Sequence, residues 1–252
     1  MFLPGGKEQI AGEYQPGCIY SKYGKKVSVS SSLEGYPAEN IVDEDARTAW
    51  VAQSNRDMEW AQVDLQRLSS IHAIQVNFDE YGANQKGAVS GVYQSYLIYA
   101  SVNGEDWSLV VDYGTKKTDT PHDYIEFEEP FKARYIKLQN KEYMVSENFS
   151  VRDLRIFGKG QGSTPRAVND FTVERDEADP CKARLCWEAV PDAQGYIVRY
   201  GIAGDKLYNN FQVMGENTLE IGSLNKGVAY YFTIDAYNEN GITRTSRIKV
   251  CR

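Results

Sequence analysis

The chain has 252 residues, 42% of them hydrophobic and 25% charged, with 18 Tyr, 2 His, 4 Cys and a formal net charge of −7. Four cysteines without a Cys-x-x-Cys pair, beside two histidines, exclude a zinc ribbon. The acidic balance is wrong for nucleic acid or anionic lipid, and no run nears the ~18 apolar residues of a membrane-spanning helix.

The length fits two domains at roughly 150 residues each. Residues 1–17 carry little pattern and read as an extension, and the first five show neither the charged start nor the apolar run of a signal peptide. From there on the pattern is all-β. Residues 71–78 alternate so that Ile74, Val76 and Phe78 share a face, and residues 124–128 and 134–138 alternate in the same way. The segment Gly158-Lys159-Gly160-Gln161-Gly162-Ser163-Thr164-Pro165 reads as a short mobile linker, because three glycines in five residues disfavour a regular element. Beyond it, residues 183–187 and 230–236 alternate again, and Asn103-Gly104, Asn225-Lys226-Gly227 and Asn240-Gly241 supply turns. Residues 1–160 carry 17 basic and 23 acidic side chains, so the acidity sits before the linker. Short strands at regular spacing predict sandwiches or barrels.

Several motifs recur together in residues 18–158. An acidic loop, residues 38–49, ends at Trp50; then come Glu59-Trp60-Ala61-Gln62-Val63-Asp64-Leu65, Ser101-Val102-Asn103-Gly104-Glu105-Asp106-Trp107, Ala133-Arg134-Tyr135-Ile136-Lys137-Leu138 and Asp153-Leu154-Arg155-Ile156-Phe157-Gly158. In order and spacing this resembles the discoidin domain, also called coagulation factor 5/8 type C. The resemblance implies a galactose-binding-like jelly-roll sandwich, with Trp50, Trp60 and Trp107 in its core rather than on a sugar platform. It also implies ligand loops at one end of the barrel. There Tyr81, Asn84, Gln85, Tyr93, His122, Tyr143 and Asn148 offer rings for stacking and amides for hydrogen bonds to a glycan, the few convergent polar groups that a neutral polyol needs. Basic, apolar membrane spikes are missing from these loops, which disfavours lipid. The resemblance further implies one structural Ca²⁺ held by Asp43, Asp45, Thr48 and Asp153, oxygen donors that suit a hard cation. Glu44 stands where relatives usually carry Gly, and Asp153 where they usually carry Glu.

Residues 165–252 resemble a fibronectin type III domain, an immunoglobulin-like sandwich. Trp187 falls on its second strand and Tyr230 at its tyrosine corner, whose hydroxyl pins a crossing loop. Cys186, between core-facing Leu185 and Trp187, should point outward. A bridge such as Cys181–Cys251 would leave Cys18 over; a fully reduced chain is the other reading. Glu126, Glu128 and Glu129 form an outward acidic stripe rather than a glycosidase pair, and neither His72 nor His122 adjoins a nucleophile. No catalytic constellation is present. The two modules in series resemble the C-terminal accessory region of Bacteroidetes family 43 glycoside hydrolases. That implies a periplasmic, cell-surface or secreted glycan-binding region, with an N-terminal catalytic domain as partner. Docking on such a domain, or surface adhesion, is the alternative.

Overall fold

The computed structural model describes residues 19–20, 25–43, 45–83 and 91–252. The extension 1–17, Cys18, Glu44, Asn84 and Gln85 lie outside the described residues.

The first half is built from β1 (Ile19–Tyr20), β2 (Lys26–Val29), β3 (Trp50–Val51), β4 (Trp60–Phe78), β5 (Gln94–Ser101), β6 (Ser108–Tyr113), β7 (His122–Tyr143) and β8 (Ser150–Gly160). A 3-10 turn, Ala38–Val42, precedes β3. The order β1-β8-β4-β7-β5-β6 is joined by β2 on β4 and β3 on β8. Two long strands make this a two-layer sandwich. β4 pairs with β2 and the second half of β7 over residues 60–64, and with β8 and the first half of β7 over 69–77. Between these arms the register shifts at Asp64/Ser69, and Gln66 takes φ 66°. An extra-residue bulge of this kind bends a strand sharply, so the β4–β7 ribbon folds over and contributes to both layers.

Between the layers lies one apolar core that includes Trp50, Val63, Ile74, Val76, Phe78, Ile98, Ile136, Leu138 and Phe149. The alternation in residues 71–78 and 134–138 therefore marks the inward face. Trp60 and Trp107 do not follow the expectation. Both are half-buried on the outward face, where Lys137 Nζ lies 3.7 Å from the Trp107 ring centroid and 5.8 Å from that of Trp60. The ammonium covers the indole face by cation–π attraction, so these rings brace the sheet instead of filling the core. Burial against them pushes the Lys137 pKa down.

At the bend, Arg134 grips Asp64 through Nε and Nη2 at 2.8 and 2.9 Å. That hydrogen-bonded guanidinium holds the Asp64 carboxyl below its ordinary value of 3.8, against the opposing effect of burial. A depressed folded pKa gives stability that is present above the unfolded value and lost as pH falls through the folded one. Asp64→Asn should therefore cost about 0.5–1 kcal/mol at neutral pH and flatten the loss of stability below about pH 4. Urea denaturation of both proteins across that range checks it.

The second half is a two-sheet sandwich. One sheet holds β9 (Phe171–Arg175), β10 (Ala183–Trp187) and β13 (Thr218–Ile221). The other holds β11 (Gly195–Gly201), β12 (Asn209–Met214), β14 (Tyr230–Asn238), β15 (Gly241–Thr243) and β16 (Lys249–Cys251). Val168, Leu185, Trp187, Tyr196, Val198, Phe232 and Ile234 fill its separate core. The Tyr230 hydroxyl accepts a hydrogen bond from Asn225 N at 3.3 Å, pinning the turn before β14. Cys186 is half-buried between buried Leu185 and Trp187, and Cys181, Cys186 and Cys251 are unbridged thiols.

The start of the glycine segment is regular, against the expectation that three glycines in five residues disfavour an element. β8 continues through Gly158 and Gly160. A Cβ at Gly158 would lie 2.5 Å from the Ser70 carbonyl oxygen of the neighbouring strand. These glycines serve close backbone approach, the other use of a residue without a side chain.

Candidate functional site

Strand directions place the loops around residues 31–37, 79–83, 113–121 and 144–149 at one end of the first sandwich. The bend of β4 and the end of β8 lie at the other. The chain enters the loop end where β4 finishes at Phe78. The Asp79 carbonyl accepts hydrogen bonds from the Tyr143 hydroxyl and from Ser150 Oγ, and the Asp79 carboxylate pairs with Arg152 Nη2 at 2.5 Å. This clamp fixes the start of the turn that carries Tyr81.

Tyr81 is half-buried and meets Tyr36 edge to face, ring centroids 4.9 Å apart at 69°. Such T-shaped pairs are mutually stabilising and hold each other's ring in place. Tyr36 escaped the sequence reading: it sits in Glu34-Gly35-Tyr36-Pro37, a turn whose Gly35 has φ 85°, 45 residues from its partner. Only the Gly-Tyr-Pro turn was there to signal it.

The polar groups of this end come from the start of β7 and the loop before it. His122 is exposed, with Nδ1 3.1 Å from Asn77 Oδ1; it opens β7 instead of sitting in a loop. Gln94 donates to Asp119 Oδ1 at 3.0 Å and accepts from Thr120 N at 2.8 Å, fixing the approach to His122. Tyr93 is half-buried, with Lys117 Nζ 5.2 Å from its ring centroid. Asn148 is half-buried and spends its amide on the Ala52 carbonyl at 2.9 Å. Tyr143 departs from expectation most clearly. It is 2% exposed, packed against Phe78 and Phe149, and its hydroxyl is used by Asp79 and Ser150. It belongs to the core, because a ring with no exposed face cannot stack on a ligand.

Among the described residues, then, Tyr36, Tyr81, Tyr93 and His122 present rings to this end, with Asp119, Lys117 and Arg152 around them. Two clefts in the molecule lie elsewhere. One, of ≈ 540 Å³, is lined by residues of 166–172 and 186–191, and the other, of ≈ 440 Å³, involves Arg67, Asp192 and Asn240.

The loop that follows the 3-10 turn bears the proposed metal ligands. Thr48 Oγ1 donates to Asp43 Oδ2 at 2.7 Å and lies 2.9 Å from the Asp45 carbonyl oxygen; Asp45 N donates to Asp43 Oδ1 at 2.8 Å. Asp45 turns its own carboxylate to Arg47, whose fork and backbone N–H hold it at a pKa of about 2. Asp153 is 4% exposed and receives Asn77 Nδ2 at 3.3 Å and Arg155 Nη2 at 3.5 Å. The loop thus brings together three oxygens, the Asp43 carboxylate, the Asp45 carbonyl and the Thr48 hydroxyl. They are a partial fit to a cation that takes about six to eight. Among the described residues no group of three His, Cys, Asp or Glu is spaced to hold a metal ion.

Comparison with known proteins gives this architecture its relatives. Rat lactadherin is 33% identical over 110 residues, which cover 41% of this chain and 25% of the relative; mouse lactadherin is 32% identical over 110 residues, 41% and 23%. The chain thus matches about a quarter of the length of these curated relatives. Among solved structures, chitosan-binding module 1 from a Paenibacillus sp. IK-5 chitosanase/glucanase superposes with TM-score 0.47 at 19% identity, over 56% of this chain and 99% of the module. The family 32 carbohydrate-binding module of Clostridium perfringens NanJ, solved with galactose, gives TM-score 0.43 at 19% identity, over 53% and 93%. The F5/8 type C domain family matches residues 26–153, which include β2–β7, the Trp50 loop and the start of β8. The chain belongs to the F5/8 type C domain family.

Proposed function

We propose that the first half is a non-catalytic glycan-binding module and that its binding surface is the loop end carrying Tyr36 and Tyr81. The observation behind this reading is the pair itself. Two rings brace each other at the same end of the sandwich as an exposed histidine and several hydrogen-bonding side chains, on a domain whose family resemblance implies carbohydrate binding. Sugars present apolar C–H faces and a ring of hydroxyls, so a ligand of this class uses both kinds of group. On this reading the chain is the accessory region of an exported family 43-like glycoside hydrolase, and the second half is a fibronectin type III module. Calcium belongs to the same proposal: the 43–48 loop would hold it through Asp43, the Asp45 carbonyl and Thr48, with water completing the shell.

Isothermal titration of the chain with galactose, arabinose, xylose and chitotriose tests the reading, run once with calcium and once with chelator. Binding is expected for at least one sugar. Tyr81→Ala should weaken it by about tenfold, equivalent to roughly 1.4 kcal/mol, while leaving the melting temperature close to wild type. Silence across the set, or an unchanged affinity in Tyr81→Ala, argues against this site. Asp43→Ala should remove any rise in melting temperature that calcium produces.

One observation favours a second reading, docking on a catalytic domain. The outward sheet face carries Trp60, Tyr99, Trp107 and Tyr135, all half-buried, where polar residues are usual. A chain silent towards sugars that raises the melting temperature of such a domain would support it.

A further inference from the structure

We propose that the segment 158–164 is a fixed joint locked by Glu239, so that the two halves orient and unfold as one body. Two independent sets of contacts carry this. The first satisfies the backbone of the segment. Gly160 N donates to the Glu239 carbonyl at 2.7 Å, and Gly162 N donates to Asn240 Oδ1 at 2.9 Å. The Ser163 carbonyl accepts from Asn238 Nδ2 at 3.0 Å and Asn240 Nδ2 at 2.9 Å. A free linker would leave these groups to water. Here the turn Asn238-Glu239-Asn240, between β14 and β15, takes them all. A Cβ at Gly160 or Gly162 would collide with the Asn240 side chain, so the glycines let the turn close on the segment.

The second set is a charge clasp between the halves. Glu239 Oε2 lies 2.7 Å from Lys25 Nζ, with side chains 6% and 7% exposed, and Glu239 Oε1 lies 3.0 Å from Arg67 Nε. Lys25 Nζ also donates to the Leu65 carbonyl at 3.0 Å. Both carboxylate oxygens of one residue in the second half are thus taken by two cations of the first. A buried charge stripped of its partner is strongly unfavourable, and the Lys25–Glu239 pair lies deep enough to be screened little by salt, whereas Arg67, with its side chain 62% exposed, adds less. The clasp therefore favours the closed joint over any arrangement that separates Glu239 from Lys25. It also places two cations of the acidic first half where the halves touch, which offsets like-charge repulsion. The second half becomes a strut rather than a flexible spacer.

Backbone ¹⁵N relaxation and calorimetry of the full 252-residue chain test the proposal. The wild type should show a single rotational correlation time shared by both halves and a single calorimetric transition. In Glu239→Ala the correlation times should separate and the transition should split in two. Lys25→Ala, which alters the clasp from the other side without touching the turn, should do the same. The double variant should go no further than either alone. Independent tumbling of the halves in the wild type overturns the proposal. So do single-body relaxation and one transition retained in both variants.

Discussion

Trp50→Ala lowers the unfolding free energy by about 4 kcal/mol. Trp50 is 0% exposed, packs edge to face on Phe149 with centroids 5.8 Å apart, and donates its indole N–H to the Ser31 carbonyl at 2.9 Å. Alanine removes the apolar burial of a large ring, leaves a cavity that strand pairing keeps from collapsing, and strands a carbonyl that had a donor. β3 is two residues long and pairs with β8 through Trp50↔Val151 and Val51↔Ser150, while Leu33 N donates to the Val51 carbonyl and Ala52 N to the Phe149 carbonyl, both at 2.8 Å, so the backbone around the lost ring stays held open. Trp107→Ala is the contrasting measurement. Its ring is half-buried on the outer face against Lys137 and Tyr135, and its loss should cost about 1–2 kcal/mol. Urea denaturation of the three proteins checks both figures. Equal costs for Trp50 and Trp107 would contradict the core position of the first.

Asp123→Ala is the second large effect, a loss of about 3 kcal/mol. Asp123 opens the inner run of β7, is 8% exposed, and takes both the Tyr96 hydroxyl at 2.7 Å and Lys116 Nζ at 2.5 Å on one carboxylate oxygen. Tyr96 is itself 1% exposed, and burial followed by the Asp123 carboxylate pushes its pKa well above the usual tyrosine range. Removing the carboxylate takes away the acceptor of a buried hydroxyl and leaves a half-buried ammonium over the Tyr113 ring, 4.4 Å from its centroid. Asp123→Asn keeps an acceptor of similar shape and should cost about 1–2 kcal/mol, as should Tyr96→Phe, which removes only the donor. The Asp123→Ala, Tyr96→Phe cycle should show strong coupling, because each single change removes the same hydrogen bond. Additive losses would mean that the pair does not interact in solution.

The strands were legible because alternation is a local signal. Ile74, Val76 and Phe78 share the core face that their spacing implied, as do Ile136 with Leu138 and Leu185 with Trp187. The folding over of β4 was not legible. Nothing in Gln66-Arg67-Leu68 says that one ribbon serves both layers; that depends on pairing with β7 residues some 70 positions away. Trp60 and Trp107 misled for a related reason: Trp60 takes the outward side because Ala61 and Val63 take the core, and Trp107, just before β6, meets Lys137 and Tyr135, residues 30 and 28 positions away. Glycine carries two meanings, and at Gly158 and Gly160 the operative one depended on distant neighbours, Ser70 and Asn240. At the loop end, Tyr81 and His122 could be named from composition and position. Tyr143 could not be told from them, because its burial comes from Phe78 and Phe149 meeting it in space.

The run of β8 from the loop end to the joint has a mechanical consequence. Its 11 residues span roughly 35 Å, and they lie between β1 and β4 in the sheet. Tension applied between Tyr81 and Glu239 pulls along these strands, while their antiparallel hydrogen bonds run across them. The load falls on the ladder in shear, so the bonds share it and yield together instead of unzipping singly. A tether anchored at its loop end would hold as one unit up to its rupture force.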